Sequence, residues 1–213
     1  MVKRTIDLVV AASALMLLSP LIVAIAVLVR TRLGKPVLFR QRRPGLDGRL
    51  FELVKFRSMT EMRANDGTLA SDVARLTPFG RWLRATSLDE LPTLWNVFVG
   101  DMSLVGPRPL LPEYLALYDA EQARRHDVRP GITGWAQVNG RNALEWRERF
   151  RLDTWYVDHR RLGLDLRILW LTAATVWRRE GITAFDQAAT SRFAGNDEPS
   201  TESHREVDAS RDD

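Results

Sequence analysis

One apolar segment near the amino terminus constrains the fold of this chain more than any other feature. Residues 6–29 carry a single charge, that of Asp7. At a rise of 1.5 Å per residue, a helix of this length would cross a hydrocarbon layer of about 30 Å. The segment is too long for the apolar part of a secretory signal, and Arg30 and Arg32 follow it where a signal would have a small-residue cleavage site. The segment therefore predicts helix embedded in a membrane.

Two observations favour a hairpin that enters and leaves on one face of the membrane. Pro20 follows Ser19 near the middle of the segment, and proline bends a helix because it lacks an N–H and clashes with the preceding turn. Basic residues flank both ends, and positive charge favours the cytoplasmic side. A single span is the alternative, because spanning helices tolerate proline. The flanking basic residues are Lys3, Arg4, Arg30, Arg32, Lys35, Arg40, Arg42 and Arg43.

Charge is distributed unevenly along the chain. Residues 186–213 contain eight acids and three arginines among small polar residues, which predicts a disordered acidic tail. Since the whole chain carries +4, residues 1–185 carry about +9. Such a basic body suits nucleic acid, anionic lipid or a phosphorylated substrate. The absence of cysteine excludes disulfides and thiolate chemistry.

The rest of the chain predicts an α+β fold that is mostly α. Short β-prone runs at residues 37–39 and 50–56 surround a turn-rich stretch and predict a small β-hairpin. Thr77 and Pro78 form a typical helix start. Helical character continues through residues 110–127, 144–159 and 165–178. The last of these could lie in the protein core or in the membrane interface.

The adjacent carboxylates Asp89 and Glu90 support two interpretations. Ser87 and Glu90 have the spacing of a capping box, in which Asp89 would favour the helix dipole. Pro92 weakens that interpretation, because it would fall inside the helix and remove a hydrogen bond. A rigidly held carboxylate also suits a covalent nucleophile, and the two interpretations are compatible.

Several cations lie beside turn-forming or capping residues and are candidates for binding phosphate. Two prolines restrict the backbone around Arg108, and glycines in residues 130–141 allow close approach to a ligand. The sequence has no P-loop, nucleophile elbow or zinc-protease helix. The histidines, His126, His159 and His204, are predicted to lie on the surface. The candidate phosphate-binding residues are Lys55, Arg57, Arg81, Arg84, Arg108 and Arg141.

Together these stretches resemble the bacterial sugar transferase family, the polyprenol phosphate phosphoglycosyl transferases, in its small monotopic form. Ser19 and Pro20 fall where that family breaks its re-entrant helix. The resemblance runs in order over about residues 1–185. The segments that carry it are residues 55–59, 86–92, 96–97, 100–109, 130–134 and 136–141.

The resemblance implies a two-step transfer of sugar phosphate from a UDP-sugar to a polyprenyl phosphate such as undecaprenyl phosphate. Asp89 would be the nucleophile and would also contact Mg²⁺, while Glu90 would orient the site or assist proton transfer. Arg84, Arg108 and Arg141 would hold phosphates, and Lys55 and Arg57 would support the site.

The same resemblance implies an enzyme of the bacterial inner membrane whose catalytic domain faces the cytoplasm. Residues 1–35 would form a re-entrant membrane helix with basic flanks, residues 36–185 the catalytic domain with amphipathic interfacial helices, and residues 186–213 the tail. Residues 179–182, with Phe193 and Gly195, are similar to family members that handle acetamido sugars. The sugar, the pathway and whether the chain forms a homo-oligomer stay open.

Three other classes of function compete with this interpretation. A non-enzymatic module could bind anionic membrane lipid through its basic body. A membrane phosphohydrolase could use Asp89 with water as acceptor. A nucleic-acid binder is disfavoured, because the chain has a long apolar segment and no basic-aromatic recognition module.

Overall fold

The computed structural model describes residues 2–64, 66–140, 144–178 and 193–196, and most of the predicted tail lies outside this part of the chain. Within it, helices predominate over two small sheets, in agreement with the predicted α+β class. In chain order the elements are α1 (Val2–Leu17), α2 (Ser19–Arg32), β1 (Leu38–Pro44), β2 (Leu50–Phe56), α3 (Asp72–Arg75), α4 (Pro78–Ala85), α5 (Thr93–Val99), β3 (Ser103–Val105), α6 (Ala120–Ala123), β4 (Gly131–Thr133), α7 (Trp135–Asn139), α8 (Trp146–His159) and α9 (Leu162–Arg178).

The apolar amino-terminal segment forms two helices that meet at an angle of 63°. Pro20 lies in the first turn of α2 and cannot donate to the carbonyl of Met16 four residues back. The Ser19 hydroxyl donates to that carbonyl instead, at 2.8 Å. The bend therefore occurs where the sequence predicts it. Among the described residues no single helix meets the length and hydropathy of a membrane span, whereas α1 and α2 do so together.

The predicted hairpin is present as the antiparallel pair β1 and β2. The prediction placed Arg42 to Pro44 in the turn, but they continue the strand, and the turn begins at Gly45. Helix α4 starts as predicted, with the Thr77 side chain accepting a hydrogen bond from the Gly80 N–H. A buried apolar cluster joins α2, the hairpin and α4; its buried members are Ile25, Val29, Leu33, Phe56 and Leu83.

A second sheet joins β3 and β4 in parallel, and the sequence analysis did not anticipate it. The two strands meet closely at Gly106, where a Cβ atom would lie 2.3 Å from the Arg129 carbonyl oxygen. Asp7 docks α1 onto this sheet, since its carboxylate accepts from the Ser103 hydroxyl at 2.8 Å and the Leu104 N–H at 3.2 Å. The only charge of the apolar segment is thus buried in a hydrogen-bonded contact with the protein.

Helices α8 and α9 complete the main core beneath this sheet. Tyr156 is buried and donates to Asp165 at 2.7 Å, which ties the two helices together. Helix α9 divides its apolar residues between two environments. Ile168 is fully buried, whereas Leu166 and Trp170 are 66% and 68% exposed. The core prediction therefore holds for one face of α9, and the other face is available to a membrane surface.

Candidate active site

The two central carboxylates lie in a short 3-10 turn, Leu88–Glu90, between α4 and α5. Ser87, just before it, adopts a left-handed conformation with φ 56°, which is uncommon for a residue other than glycine. Its side chain makes no capping hydrogen bond, and Pro92 begins a separate helix. The capping-box interpretation is therefore wrong. The turn is held by its neighbours and presents two carboxylates side by side.

Glu90 is tightly paired with two cations. Lys55 Nζ lies 2.5 Å and Arg108 Nη2 lies 3.0 Å from the same oxygen, Glu90 Oε1. Burial alone would raise the pKa of Glu90, but Arg108 and Lys55 outweigh it and lower this pKa to about 2. Glu90 therefore remains ionised and holds both cations in place, an arrangement that favours an orienting role over proton transfer.

The environment of Asp89 differs from that of Glu90. The Asp89 side chain is half-buried. Within the described part of the chain, no side chain or backbone group forms a hydrogen bond or ion pair with its carboxylate. Burial and the charge of Glu90 raise the pKa of Asp89 to about 6, although Lys55, Arg84 and Arg108 oppose the shift. Adjacent carboxylates with opposite pKa shifts are typical of sites where the two groups have separate tasks.

The positions of Arg84 and Arg108 follow from the elements that carry them. Arg84 lies in the last turn of α4, and its Nε donates to the Ser58 hydroxyl at 2.8 Å while its charge acts on Asp89. Arg108 follows β3 between Pro107 and Pro109, and its side chain is half exposed. The buried guanidinium of Arg125 holds the Arg108 carbonyl oxygen at 2.8 Å. The strand, the prolines and Arg125 together fix the backbone of Arg108.

Arg57 and Arg81, two of the predicted phosphate-binding residues, are not in this group: Arg81 is exposed and donates to the Leu76 carbonyl at 3.1 Å. Arg57 is buried and turns away: its guanidinium donates to the carbonyls of Lys35 and Leu33 beyond the end of α2. Its contacts are those of a helix cap, and they give no support to the predicted role near the phosphates. Arg141 lies outside the described residues.

The sequence analysis did not identify two arginines near Arg108 as site residues. Burial lowers the pKa of both Arg43 on β1 and Arg149 on α8. The positive charge of Arg108 lowers both pKa values further. Arg149 also lies 4.5 Å above the ring centre of Trp146. The three-residue spacing between Trp146 and Arg149 could have indicated a shared inward face of α8. No comparable pattern marks Arg43.

His126 was predicted to be a surface residue and is half-buried instead. Its Nδ1 lies 3.2 Å from the Gly45 carbonyl oxygen, which makes Nδ1 the protonated nitrogen. Its Nε2 is buried without a hydrogen-bond partner among the described residues. Burial and neighbouring Arg125 lower the pKa of His126 to about 4.

The chemical capacity of this site is phosphate binding beside a carboxylate that has no hydrogen-bonded partner in the part of the chain that the structure describes. Lys55, Arg84 and Arg108 surround Asp89, and Arg43 and Arg149 extend the basic surface. Within the described residues no group of three or more histidine or acidic side chains could hold a metal ion by itself. A metal ion here would need further oxygen ligands from substrate or water.

The sequence of this chain is similar to a known protein family and to several individual proteins. The model of the bacterial sugar transferase family matches residues 1–179. The uncharacterized sugar transferase EpsL of Bacillus subtilis strain 168 is 51% identical over 93% of this chain and 98% of its own length. The undecaprenyl-phosphate galactose phosphotransferase of Salmonella typhimurium is 40% identical over 84% of this chain. The UDP-glucose:undecaprenyl-phosphate glucose-1-phosphate transferase of Xanthomonas campestris is 44% identical over 82% of it. The matches cover 41% and 38% of those two enzymes.

Proposed function

Because the chain belongs to the bacterial sugar transferase family, we propose that it transfers a sugar 1-phosphate from a UDP-sugar to undecaprenyl phosphate or a similar polyprenyl phosphate. The relatives named for galactose and glucose phosphotransfer support this reaction. The products are UMP and a polyprenyl-diphosphate sugar. The transfer would be the first membrane step of glycoconjugate synthesis.

The observation that carries the proposal is the Asp89 carboxylate, which lies among cations and has no hydrogen-bonded partner within the described residues. In the first step, an Asp89 oxygen attacks the β-phosphorus of the UDP-sugar. The bond from that phosphorus to the bridging oxygen breaks, and UMP leaves with the bonding electrons. In the second step, an oxygen of the polyprenyl phosphate attacks the same phosphorus and releases Asp89. A carboxylate without a hydrogen-bonded partner retains its nucleophilicity for this step.

The surrounding cations lower the cost of bringing one anion to another. Arg108 and Lys55 are pre-positioned by Glu90, and Arg84 by Ser58, so none has to reorganise when negative charge develops. Arg108 is half exposed and offers its remaining guanidinium donors to a diphosphate oxygen. Arg43 and Arg149 are positioned to bind a second phosphate, and Arg141 stays a candidate.

The residues present fit the predicted Mg²⁺. Asp89 offers half-buried carboxylate oxygens, and burial and Glu90 raise its pKa, so a divalent cation beside it would favour its ionised form. Asp89 would hold the ion together with diphosphate oxygens, since Mg²⁺ commonly takes one or two carboxylates and completes its shell with phosphate and water. Bound there, Mg²⁺ would neutralise charge on the diphosphate.

We place the enzyme on the cytoplasmic face of the bacterial inner membrane, as the basic flanks of the bent helix pair indicate. A re-entrant α1 and α2 would hold the active site at the surface where the lipid phosphate lies. The exposed apolar face of α9, with Leu166 and Trp170, would lie in the same interface.

The test is UMP release by detergent-purified protein with Mg²⁺, undecaprenyl phosphate and a panel of UDP-sugars that includes UDP-glucose, UDP-galactose and acetamido sugars. We expect Asp89→Asn to lower the rate by at least about a thousandfold. The matched control is Asp158→Asn, an exposed carboxylate that pairs with Arg124. Without lipid acceptor, the wild-type protein should release one equivalent of UMP and gain the mass of a sugar phosphate.

The outcomes separate the competing functions. UDP as product would mean ordinary glycosyl transfer and would refute the mechanism. Sugar phosphate released to water without lipid would favour the phosphohydrolase. An Asp89→Asn variant that still gains the sugar-phosphate mass would exclude Asp89 as nucleophile, and lipid binding without turnover of any UDP-sugar would favour the non-enzymatic module.

A further inference from the structure

A cavity lies beside the amino-terminal turn of α1, and it shares no lining residue with the site around Asp89. Its volume is about 330 Å³, within the range of small-molecule pockets. The amino-terminal turn of α1, strand β3 and the segments before β4 and after α8 form its walls. Four cationic side chains line it: Lys3, Arg4, Arg129 and Arg160.

The lining of this cavity carries more positive than negative charge. Only two carboxylates, Asp7 and Asp127, accompany the four cations. The Asp7 oxygens already accept hydrogen bonds from Ser103 and Leu104. The lining residues alone leave a surplus of two positive charges, and Asp165 offsets one of them through its ion pair with Lys3. A concave, partly enclosed space that stays net positive favours an anionic ligand.

Arg129 and Arg160 are the least engaged of the four cations. Lys3 pairs with Asp165 at 2.7 Å, and both terminal nitrogens of Arg4 donate to carbonyls at the end of α5. Arg129 uses its Nε on the Gly100 carbonyl, and Arg160 makes a single long contact of 3.4 Å. Among the described residues no carboxylate forms an ion pair with Arg129 or Arg160, so their remaining guanidinium donors are available to a phosphate.

The surroundings of the cavity distinguish a lipid from a soluble anion. Val2 and Ile6 on α1, next in sequence to the lining residues, are 64% and 40% exposed. Leu162 and Leu166 on α9 are also exposed, and Leu162 follows Arg160 by two residues. Lys3 and Asp165 hold α1 and α9 together, so these apolar side chains flank a cationic pocket from two helices. Such an arrangement fits a phosphate attached to acyl chains.

We propose that this cavity binds the phosphate of an anionic membrane phospholipid, such as phosphatidylglycerol, through Arg129 and Arg160. The inference rests on the membrane placement given under the proposed function, and it concerns a site separate from the catalytic one. A bound headgroup would fix the depth of α1 and, through Asp7, the position of β3, which leads to Arg108.

The test is isothermal titration of the full chain in detergent with dihexanoyl phosphatidylglycerol, dihexanoyl phosphatidylcholine and inorganic phosphate, against empty micelles. We expect phosphatidylglycerol to bind best, and Arg129→Gln/Arg160→Gln to weaken it by about tenfold or more, because two charge-assisted hydrogen bonds are lost. Arg63→Gln/Arg147→Gln removes the same charge from exposed arginines outside the cavity and should leave binding unchanged.

The single variant Arg160→Glu, at an exposed position, should abolish the preference for phosphatidylglycerol and provides a second readout. Equal binding of phosphatidylcholine, equal affinity for inorganic phosphate, or unchanged binding by both cavity variants would overturn the proposal. Phosphatidylglycerol binding that persists in Asp89→Asn supports it independently of the transfer reaction. Failure of the UMP assay alone would therefore leave this site standing.

Discussion

Asn96 supports the strand that carries Lys55, although it forms no hydrogen bond with either central carboxylate. It is fully buried on α5 and lies against the free edge of β2. Its Nδ2 donates to the Glu52 carbonyl at 2.7 Å and to the Asp101 carboxylate at 3.1 Å, and its Oδ1 accepts from the Val54 N–H at 3.0 Å. The amide thus continues the hydrogen bonding of the strand that carries Lys55.

The hydrogen bonds of Asn96 set the expected loss of stability in Asn96→Ala. Three hydrogen bonds of about 1 kcal/mol each disappear, and the Val54 N–H loses its partner, so we expect a loss of about 3 kcal/mol. For a domain of this size, that corresponds to a fall in melting temperature of about 6–12 °C. Asn96→Asp should cost at least as much, because a carboxylate would face the Glu52 carbonyl and Asp101 without a proton to donate.

The assay is thermal unfolding in detergent, followed by circular dichroism at one fixed scan rate. The control is Asn139→Ala, which removes one exposed hydrogen bond within α7 and should change the stability by less than about 0.5 kcal/mol. If Asn96→Ala and Asn139→Ala melted within a degree or two of each other, the docking of α5 on β2 through this amide would be refuted.

Three further predictions concern stability. His126 has a folded pKa of about 4, below its usual value, so the folded state binds fewer protons and loses stability as the pH falls from 6.5 to 4. The full pKa shift corresponds to about 3 kcal/mol of unfolding free energy, and solvent screening of the half-buried ring reduces this to about 2 kcal/mol. In denaturant unfolding between pH 6.5 and 4, His126→Gln should not show this loss of stability. Thr77→Ala should cost about 1 kcal/mol by denaturant unfolding, because the Gly80 N–H loses its cap; an unchanged midpoint would contradict it. Arg125→Met should cost about 3–5 kcal/mol because it leaves Asp153 buried and unpaired. The double variant Arg125→Met/Asp153→Leu should recover most of the unfolding free energy that Arg125→Met loses. An equal loss in the single and the double variant would refute the explanation by an unpaired Asp153.

The sequence predicted the features that have local causes. Ser19 and Pro20 determine the bend of the first helix pair, because proline removes one hydrogen bond and the neighbouring hydroxyl replaces it. Thr77 and Pro78 determine the start of α4 in the same local way. The motif around Asp89 and Glu90, together with the segments at 55–59, 96–97, 100–109 and 130–141, was sufficient to identify the family.

The tertiary structure decided what depends on contacts between distant segments. The parallel pairing of β3 and β4 joins three-residue strands that are far apart in sequence, and neither is long enough to show a pattern. The same contacts assign Arg57 to the end of α2 and bring Arg43 and Arg149 toward Arg108. They also separate Glu90, held by Lys55 and Arg108, from Asp89, which has no partner among the described residues. Spacing along a chain specifies which side chains are available, but the electric field at a carboxylate depends on distances that only folding sets.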